Sequence, residues 1–213
     1  VPKPLFIISG NMKTWKFSIL FVALTLFTIV GKGNDQAARE AEFYRLETYD
    51  IPTDIKLEIS GMALLPDGRL AVAVRKGEIW IISNVYDSRN PRFTQFASGL
   101  HEPLGLAIRD GSLYTVQRTE LTRITDLNDD GIADEYATVA KGWGVTGNYH
   151  EYAYGPVFDH QGNAWLTLNC SIGKGTVPDD NAWRGWSMMV KPEGTLLPVS
   201  GGFRPPFGPG VTL

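Results

Sequence analysis

The sequence predicts an all-β fold, on three observations. Glycine and aromatic residues are both plentiful, with 23 glycines and 11% Phe, Trp and Tyr, a mixture suited to short strands joined by tight turns. A pattern of leading glycine, short apolar strand, Gly-ended turn and alternating strand occurs three times. Its leading glycines, with Gly208 as a fourth, fall at intervals of 44, 50 and 53 residues. That period suits one four-stranded blade of a β-propeller per repeat, whereas a β-sandwich would give shorter, less regular spacing.

The first copy runs from Gly61 to Val74 with Asp67-Gly68 at its turn, the second from Gly105 to Val116 with Asp110-Gly111, and the third from Gly155 to Leu168 with Gly162. Asp-Gly between apolar runs marks a hairpin, because both residues tolerate the positive φ of a tight turn. Two further strands fit between successive hairpins, as in Glu78–Ile82 and Arg92–Phe96. Blades therefore open near 61, 105 and 155, and residues 43–213 are expected to form about three blades. The fourth copy begins at Phe207-Gly208, close to Leu213. Three blades leave an unpaired edge, so this is expected to be the N-terminal part of a longer propeller, six-bladed when complete, with its fourth blade truncated.

Ahead of the repeats, Met12–Lys16 is a short basic stretch, Phe17–Val30 is an apolar run of 14 residues, and Gly31 and Gly33 precede a polar segment. These are the parts of a secretory signal peptide, assigned to 12–33. The run is shorter than the ~20 residues of a membrane span. The expected location is periplasmic or secreted, with membrane association only through an uncleaved signal. Residues 1–11 read as a non-native upstream extension, and 34–42 as a polar linker.

Net charge is −3 with interspersed signs. No basic stripe marks a nucleic-acid footprint, so that class of partner is excluded. Cys170 is the single cysteine, which rules out an intrachain disulfide and a Cys-x-x-Cys-His haem site. It reads as a buried, inert thiol.

Two constellations could carry chemistry. Asp126, Asn128, Asp130 and Asp134 place oxygens at positions 1, 3, 5 and 9 of a loop with Gly131 at position 6, as in the front of an EF-type calcium loop. Position 12 is Ala137, where a bidentate Glu is usual, so the expected Ca2+ site is weak and structural. The second is Asn148-Tyr149-His150-Glu151, just before the third blade's first strand. A histidine on such a loop can act as a general base, with an ordinary pKa near ~6.5. His101 and Glu102 hold the equivalent place one blade earlier and, with Glu151, are candidate substrate ligands. His160 reads as an exposed turn residue. Trp183 and Trp186 read as packing between blades rather than a sugar platform.

Gly61-Met62-Ala63, Pro66-Asp67-Gly68-Arg69-Leu70 and Arg75-x-Gly77-x-Ile79 resemble the first blade of the glucose/sorbosone dehydrogenase family. These are exported six-bladed propellers, some of which use pyrroloquinoline quinone (PQQ). The family's His before an apolar-Gly-Pro strand is matched by His150, Tyr154, Gly155 and Pro156, and its Arg-containing turn by Arg204 in Phe203–Gly208. The Asp126–Asp134 loop and the His101–Leu106 turn look more like the family's divergent membrane-bound dehydrogenase branch, some members of which carry a cytochrome c domain. The resemblance implies that His150 takes the proton from a sugar's anomeric hydroxyl while hydride passes to the quinone, with Arg204 polarising a quinone oxygen and contacting the cofactor. It departs from the family at Tyr149, where an acid precedes the His, and at Pro205, where an Asn follows the Arg.

The expected function is thus an exported quinone-dependent dehydrogenase of a small sugar or aldehyde, with a cytochrome c domain or protein as electron acceptor, in a piece inactive alone. A non-catalytic propeller binding protein or polysaccharide, and a calcium-dependent lactonase-like hydrolase, are the competing readings, since fold alone does not fix function.

Overall fold

The computed structural model describes residues 38–44, 47–172, 182–204 and 206–211. The assigned upstream extension and signal peptide lie outside them. Among the described residues no helix is long and apolar enough to cross a membrane. The chain divides into two units, Val1–Thr48 and Tyr49–Leu213. In the first, residues 38–40 form one helical turn, closed by Tyr44 N–H donating to the Glu40 carbonyl at 2.9 Å.

The second unit holds three four-stranded antiparallel sheets, each in sequence order, the arrangement of propeller blades. The first blade comprises β1 (Ile59–Leu64), β2 (Leu70–Val74), β3 (Glu78–Ser83) and β4 (Arg92–Ala97). The second comprises β5 (Ala107–Arg109), β6 (Ser112–Val116), β7 (Glu120–Thr125) and β8 (Glu135–Lys141). The third comprises β9 (Ala153–Phe158), β10 (Ala164–Leu168), β11 (Trp186–Val190) and β12 (Leu196–Gly201). Each sequence repeat has become the inner hairpin of a blade, with the two strands predicted between repeats outside it. The β5–β6 turn has φ of 49° at Asp110 and 79° at Gly111, the consecutive positive values that a two-residue hairpin turn demands.

The repeated leading glycines mark where neighbouring inner strands meet. A methyl group on Gly61 would overlap the backbone of Gly105, and one on Gly105 would overlap the backbone of Gly155. Gly155 N–H donates to the Leu104 carbonyl at 2.9 Å across the same junction. Close backbone approach, together with φ of 117° at Gly105 and 124° at Gly155, is what excludes any other residue.

Apolar layers fill the spaces between blades. One cluster joins Ala71, Ile79, Ile81 and Phe96 of the first blade to Leu106, Leu113 and Ile124 of the second. The other joins Val116, Leu121 and Ala140 of the second to Leu166, Met188 and Val190 of the third. Each large aliphatic side chain fully buried here contributes about 1.5–3 kcal/mol. At the edge of the second layer, Tyr114 meets Phe158 edge-on at 5.1 Å. The Arg109 guanidinium lies 5.1 Å over the same Phe158 ring and donates to the Gly162 carbonyl. Polar staples complete the first junction: Ala133 N–H donates to the Phe96 carbonyl at 2.9 Å, and Ser98 N–H to the Tyr136 hydroxyl at 3.2 Å.

Two outcomes follow from these contacts. Gly105→Ala combines an overlap with the Gly155 backbone and an unfavourable φ, and should cost at least ~1–3 kcal/mol of stability in chemical denaturation. In the β9–β10 turn, the Asp159 carboxylate accepts from Trp165 Nε1 at 2.8 Å and from the Asn163 amide side chain at 2.9 Å. These bonds hold it down to about 2 from 3.8. A depressed carboxylate stabilises the fold above its ordinary pKa and loses that effect as pH falls. Asp159→Asn should therefore flatten the loss of stability between pH 3.8 and about 2, followed by tryptophan fluorescence.

Candidate functional site

Antiparallel order brings the start of each inner strand to the same end as the turn between the second and third strands of its blade. At this rim the segment before β5 meets the β6–β7 turn, and the segment before β9 meets the residues after β10. Leu104 N–H donates to the Val116 carbonyl at 3.0 Å, Arg118 N–H to the His101 carbonyl at 3.2 Å, and Asn169 N–H to the Tyr152 carbonyl at 2.9 Å. Both histidine-bearing loops are thus fixed by backbone bonds to their own blades.

Charge then links the loops to one another. Glu102 has φ of 47°, a left-handed conformation that costs a non-glycine residue of order 1 kcal/mol or more and persists only when its surroundings hold it. Two guanidinium groups do so. Arg75, from the β2–β3 turn, donates to Glu102 Oε1 at 2.9 Å, and Arg118 donates to Glu102 Oε2 at 2.6 Å. The Arg118 and Glu102 side chains are only 11% and 22% exposed, so this charge-assisted pair escapes the screening that makes surface pairs weak. Arg118 continues to the third blade, donating from Nη2 to the Asn148 carbonyl at 2.8 Å and lying 5.3 Å over the Tyr152 ring.

The loop bearing His150 is also held from beneath. Asn148 Oδ1 accepts from His150 N–H at 3.0 Å, and Asn148 Nδ2 donates to the Ile172 carbonyl at 2.9 Å. Glu151 is fully buried. Its carboxylate accepts from Thr146 N–H at 2.6 Å, Thr146 Oγ1 at 2.8 Å and Ser171 Oγ at 2.6 Å. Arg184 donates to the Gly144 and Tyr152 carbonyls at 2.8 and 3.0 Å. Burial pulls its guanidinium down to about 10, with the Glu151 charge acting the other way.

Above this support His150 is half-buried, its imidazole set edge-on to the Tyr149 ring at 4.8 Å. Aromatic contact continues from Tyr149 to Tyr152 at 5.5 Å, Tyr154 at 6.2 Å and Phe207 at 5.6 Å. Burial, then the hydrogen bond with Tyr149, pushes the Tyr152 phenol up to about 12. Burial also raises Tyr154. Tyr149 and Phe207 are largely exposed, so the row offers ring faces and edges at the rim.

Of the residues singled out in the sequence, His101, Glu102, His150 and Glu151 all lie on this rim. Glu102 is committed to two arginines and Glu151 to Thr146 and Ser171, while His101 is exposed. Arg204 is exposed after β12, and no hydrogen bond or ring contact among the described residues joins it to His150. Pro205 lies outside the described residues. His160 is exposed in its turn, and Cys170 is half-buried rather than buried. Trp183 and Trp186 stack edge-on at 5.5 Å. Sequence reasoning placed Arg75 only in the first-blade motif and gave Arg118 and Arg184 no role; the Glu102 partner lies 27 positions from Arg75 and 16 from Arg118.

The Asp126–Asp134 loop is at the opposite end of the blades. Asp126 accepts from Asn128 N–H at 3.2 Å and Gly131 N–H at 2.8 Å. Asn128 accepts from Asp130 N–H, Asp130 from Ile132 N–H and Asp134 from Leu127 N–H. Partial burial pushes the Asp126 carboxyl up, but the backbone bonds led by Gly131 outweigh it and hold it below its ordinary value. No group of three or more His, Cys, Asp or Glu side chains among the described residues converges to hold a metal. The expected Ca2+ at Asp126, Asn128, Asp130 and Asp134 therefore has no support in the geometry. These oxygens organise the loop itself, which with Leu65, Ile81 and Phe96 borders a cavity of about 270 Å³.

No family model matches the chain, and no curated protein matches it in sequence. Solved structures do. An oxidoreductase described as a glucose dehydrogenase, from Thermus thermophilus, is 22% identical with a TM-score of 0.50, over 65% of this chain and 45% of its own. The PQQ-bound aldose sugar dehydrogenase of Streptomyces coelicolor is 19% identical with a TM-score of 0.52, over 70% of this chain and 48% of its own. At this identity the likeness establishes the propeller fold, and the chain spans less than half the length of either structure.

The loop chemistry leads to an expected outcome. Asp126→Ala removes two backbone bonds and should lower the midpoint of thermal or chemical unfolding. With the oxygens serving the loop, a calcium chelator should leave the midpoint of the parent chain unchanged.

Proposed function

We propose that this chain is part of an exported dehydrogenase that oxidises a small sugar or aldehyde with PQQ as hydride acceptor. The observation that carries the reading is His150. It stands on a rim loop fixed from two blades, with an imidazole that forms no hydrogen bond among the described residues and ring faces beside it. The likeness to two propellers titled as sugar dehydrogenases, one of them PQQ-bound, supports it at the level of fold.

The residues present suit such a cofactor in chemistry. Arg204 is a cation without a partner among the described residues, suited to a quinone oxygen, and the Tyr149–Phe207 row offers apolar surface to a planar ring system. Bound quinone would supply the two-electron acceptance that no side chain can. The chain's part is to accept the proton of the substrate hydroxyl at an imidazole nitrogen of His150, which requires that ring neutral at working pH. Arg204 would hold positive charge where negative charge develops. Export through the segment 12–33, an electron-accepting cytochrome, and completion of the ring by residues beyond this chain belong to the same proposal.

A lactonase-like hydrolase would need carboxylates free to bind a metal, and the two candidates, Glu102 and Glu151, are engaged by protein groups. No observation favours it. A binding propeller remains the alternative outcome of the test.

Protein expressed with its native C-terminal continuation should gain a quinone absorption band with micromolar PQQ, and should then reduce a dye with aldoses. His150→Ala should lower kcat by a factor of ~10² or more while the absorption band is retained. Absence of PQQ uptake, with and without added calcium, would leave the binding propeller as the reading.

A further inference from the structure

We infer that Arg118 is a positioning residue for His150, acting through a two-point clasp that joins the two rim loops. The inference rests on the proposed role of His150 for its functional meaning, while the clasp itself stands on geometry alone.

One guanidinium spans the junction. Its Nη1 reaches the Glu102 carboxylate at 2.6 Å and its Nη2 reaches the Asn148 carbonyl at 2.8 Å. Its central carbon lies 5.3 Å over the ring of Tyr152, the residue two positions beyond His150. The backbone of Arg118 is tied at both ends, its N–H to the His101 carbonyl at 3.2 Å and its carbonyl to Trp143 Nε1 at 2.7 Å. The side chain therefore leaves from a fixed point.

Asn148 is where this restraint enters the histidine loop. Its carbonyl accepts from Arg118 and from Glu151 N–H at 3.1 Å, while its side chain accepts from the His150 amide at 3.0 Å. A shift of Asn148 would therefore carry His150 with it. On the other side, Glu102 is held in a left-handed conformation by the same guanidinium and by Arg75. A planar fork satisfies both acceptors at once, which a lysine ammonium on a single stem does not do with the same geometry. The expected consequence is that removing the clasp frees His150 from its edge-on contact with Tyr149.

The test needs no cofactor and so separates this inference from the proposed activity. The chain contains three histidines, and His160, in the β9–β10 turn at the opposite end, serves as an internal control. In proton NMR the His150 imidazole should be displaced by the Tyr149 ring. Arg118→Met, and independently Glu102→Ala, should collapse that displacement, with the His160 signals unchanged. Arg118→Lys should fail to restore it. Unaltered His150 signals in whichever of the two variants folds would overturn the inference, as would full restoration by lysine. Should Arg118→Met not fold, Glu102→Ala alone decides, because it removes a side chain from a loop at the rim and leaves the blades intact.

Discussion

Between neighbouring blades the inner strands come so near one another that backbone occupies the space a side chain would need. Gly61 faces Gly105, and Gly105 faces Gly155. The contact sets the distance between blades, and that distance sets which loops can touch at the rim. It explains why Arg75, Glu102, Arg118 and Asn148, drawn from three successive blades, form one connected chain of contacts. It also explains why the layers between blades are built from small and medium aliphatic residues such as Ala71, Ala73 and Val116, all fully buried. At the end of the inner strands away from the rim, Tyr114, Phe158 and Arg109 close the second junction.

The charged groups at the rim are arranged on the same principle of shared support. Desolvating a guanidinium is costly unless its donors are matched, and Arg118 meets a carboxylate, a carbonyl and a ring. Arg184 meets two carbonyls beneath the loop while its Nη2 is buried without a hydrogen bond among the described residues, and burial lowers its affinity for the proton. Glu151 is buried with Thr146 and Ser171 donating to it. The outcome is a loop braced from beneath by buried charge, above which the His150 imidazole forms no hydrogen bond among the described residues.

The blades were legible in the sequence because their signals are local. Asp110-Gly111 encodes a turn through two adjacent φ values, and a leading glycine is needed wherever an inner strand passes its neighbour. The site was half legible. His150 and His101 could be placed on rim loops by counting from those glycines, but the direction of each side chain could not. Glu151 follows His150 directly, yet points into the fold toward Thr146 and Ser171, a pairing that depends on a residue 20 positions away. Arg118 carries no motif at all. The Asp126–Asp134 loop illustrates the converse: its residue pattern is that of a calcium ligand set, and the same oxygens are equally able to accept the loop's own amides.

One staple has a consequence for how the molecule comes apart. Ala133 belongs to the second blade by sequence, yet its amide donates to Phe96 in β4, and Tyr136 receives the amide of Ser98. The β7–β8 connection and the start of β8 are therefore hydrogen-bonded to the first blade as well as to their own. Protein segments open in cooperative groups defined by contacts rather than by repeats. Separating the first blade from the second therefore has to break these bonds as well as the apolar layer between them, although the same connection is paired to its own blade through Asp134 N–H and the Thr125 carbonyl.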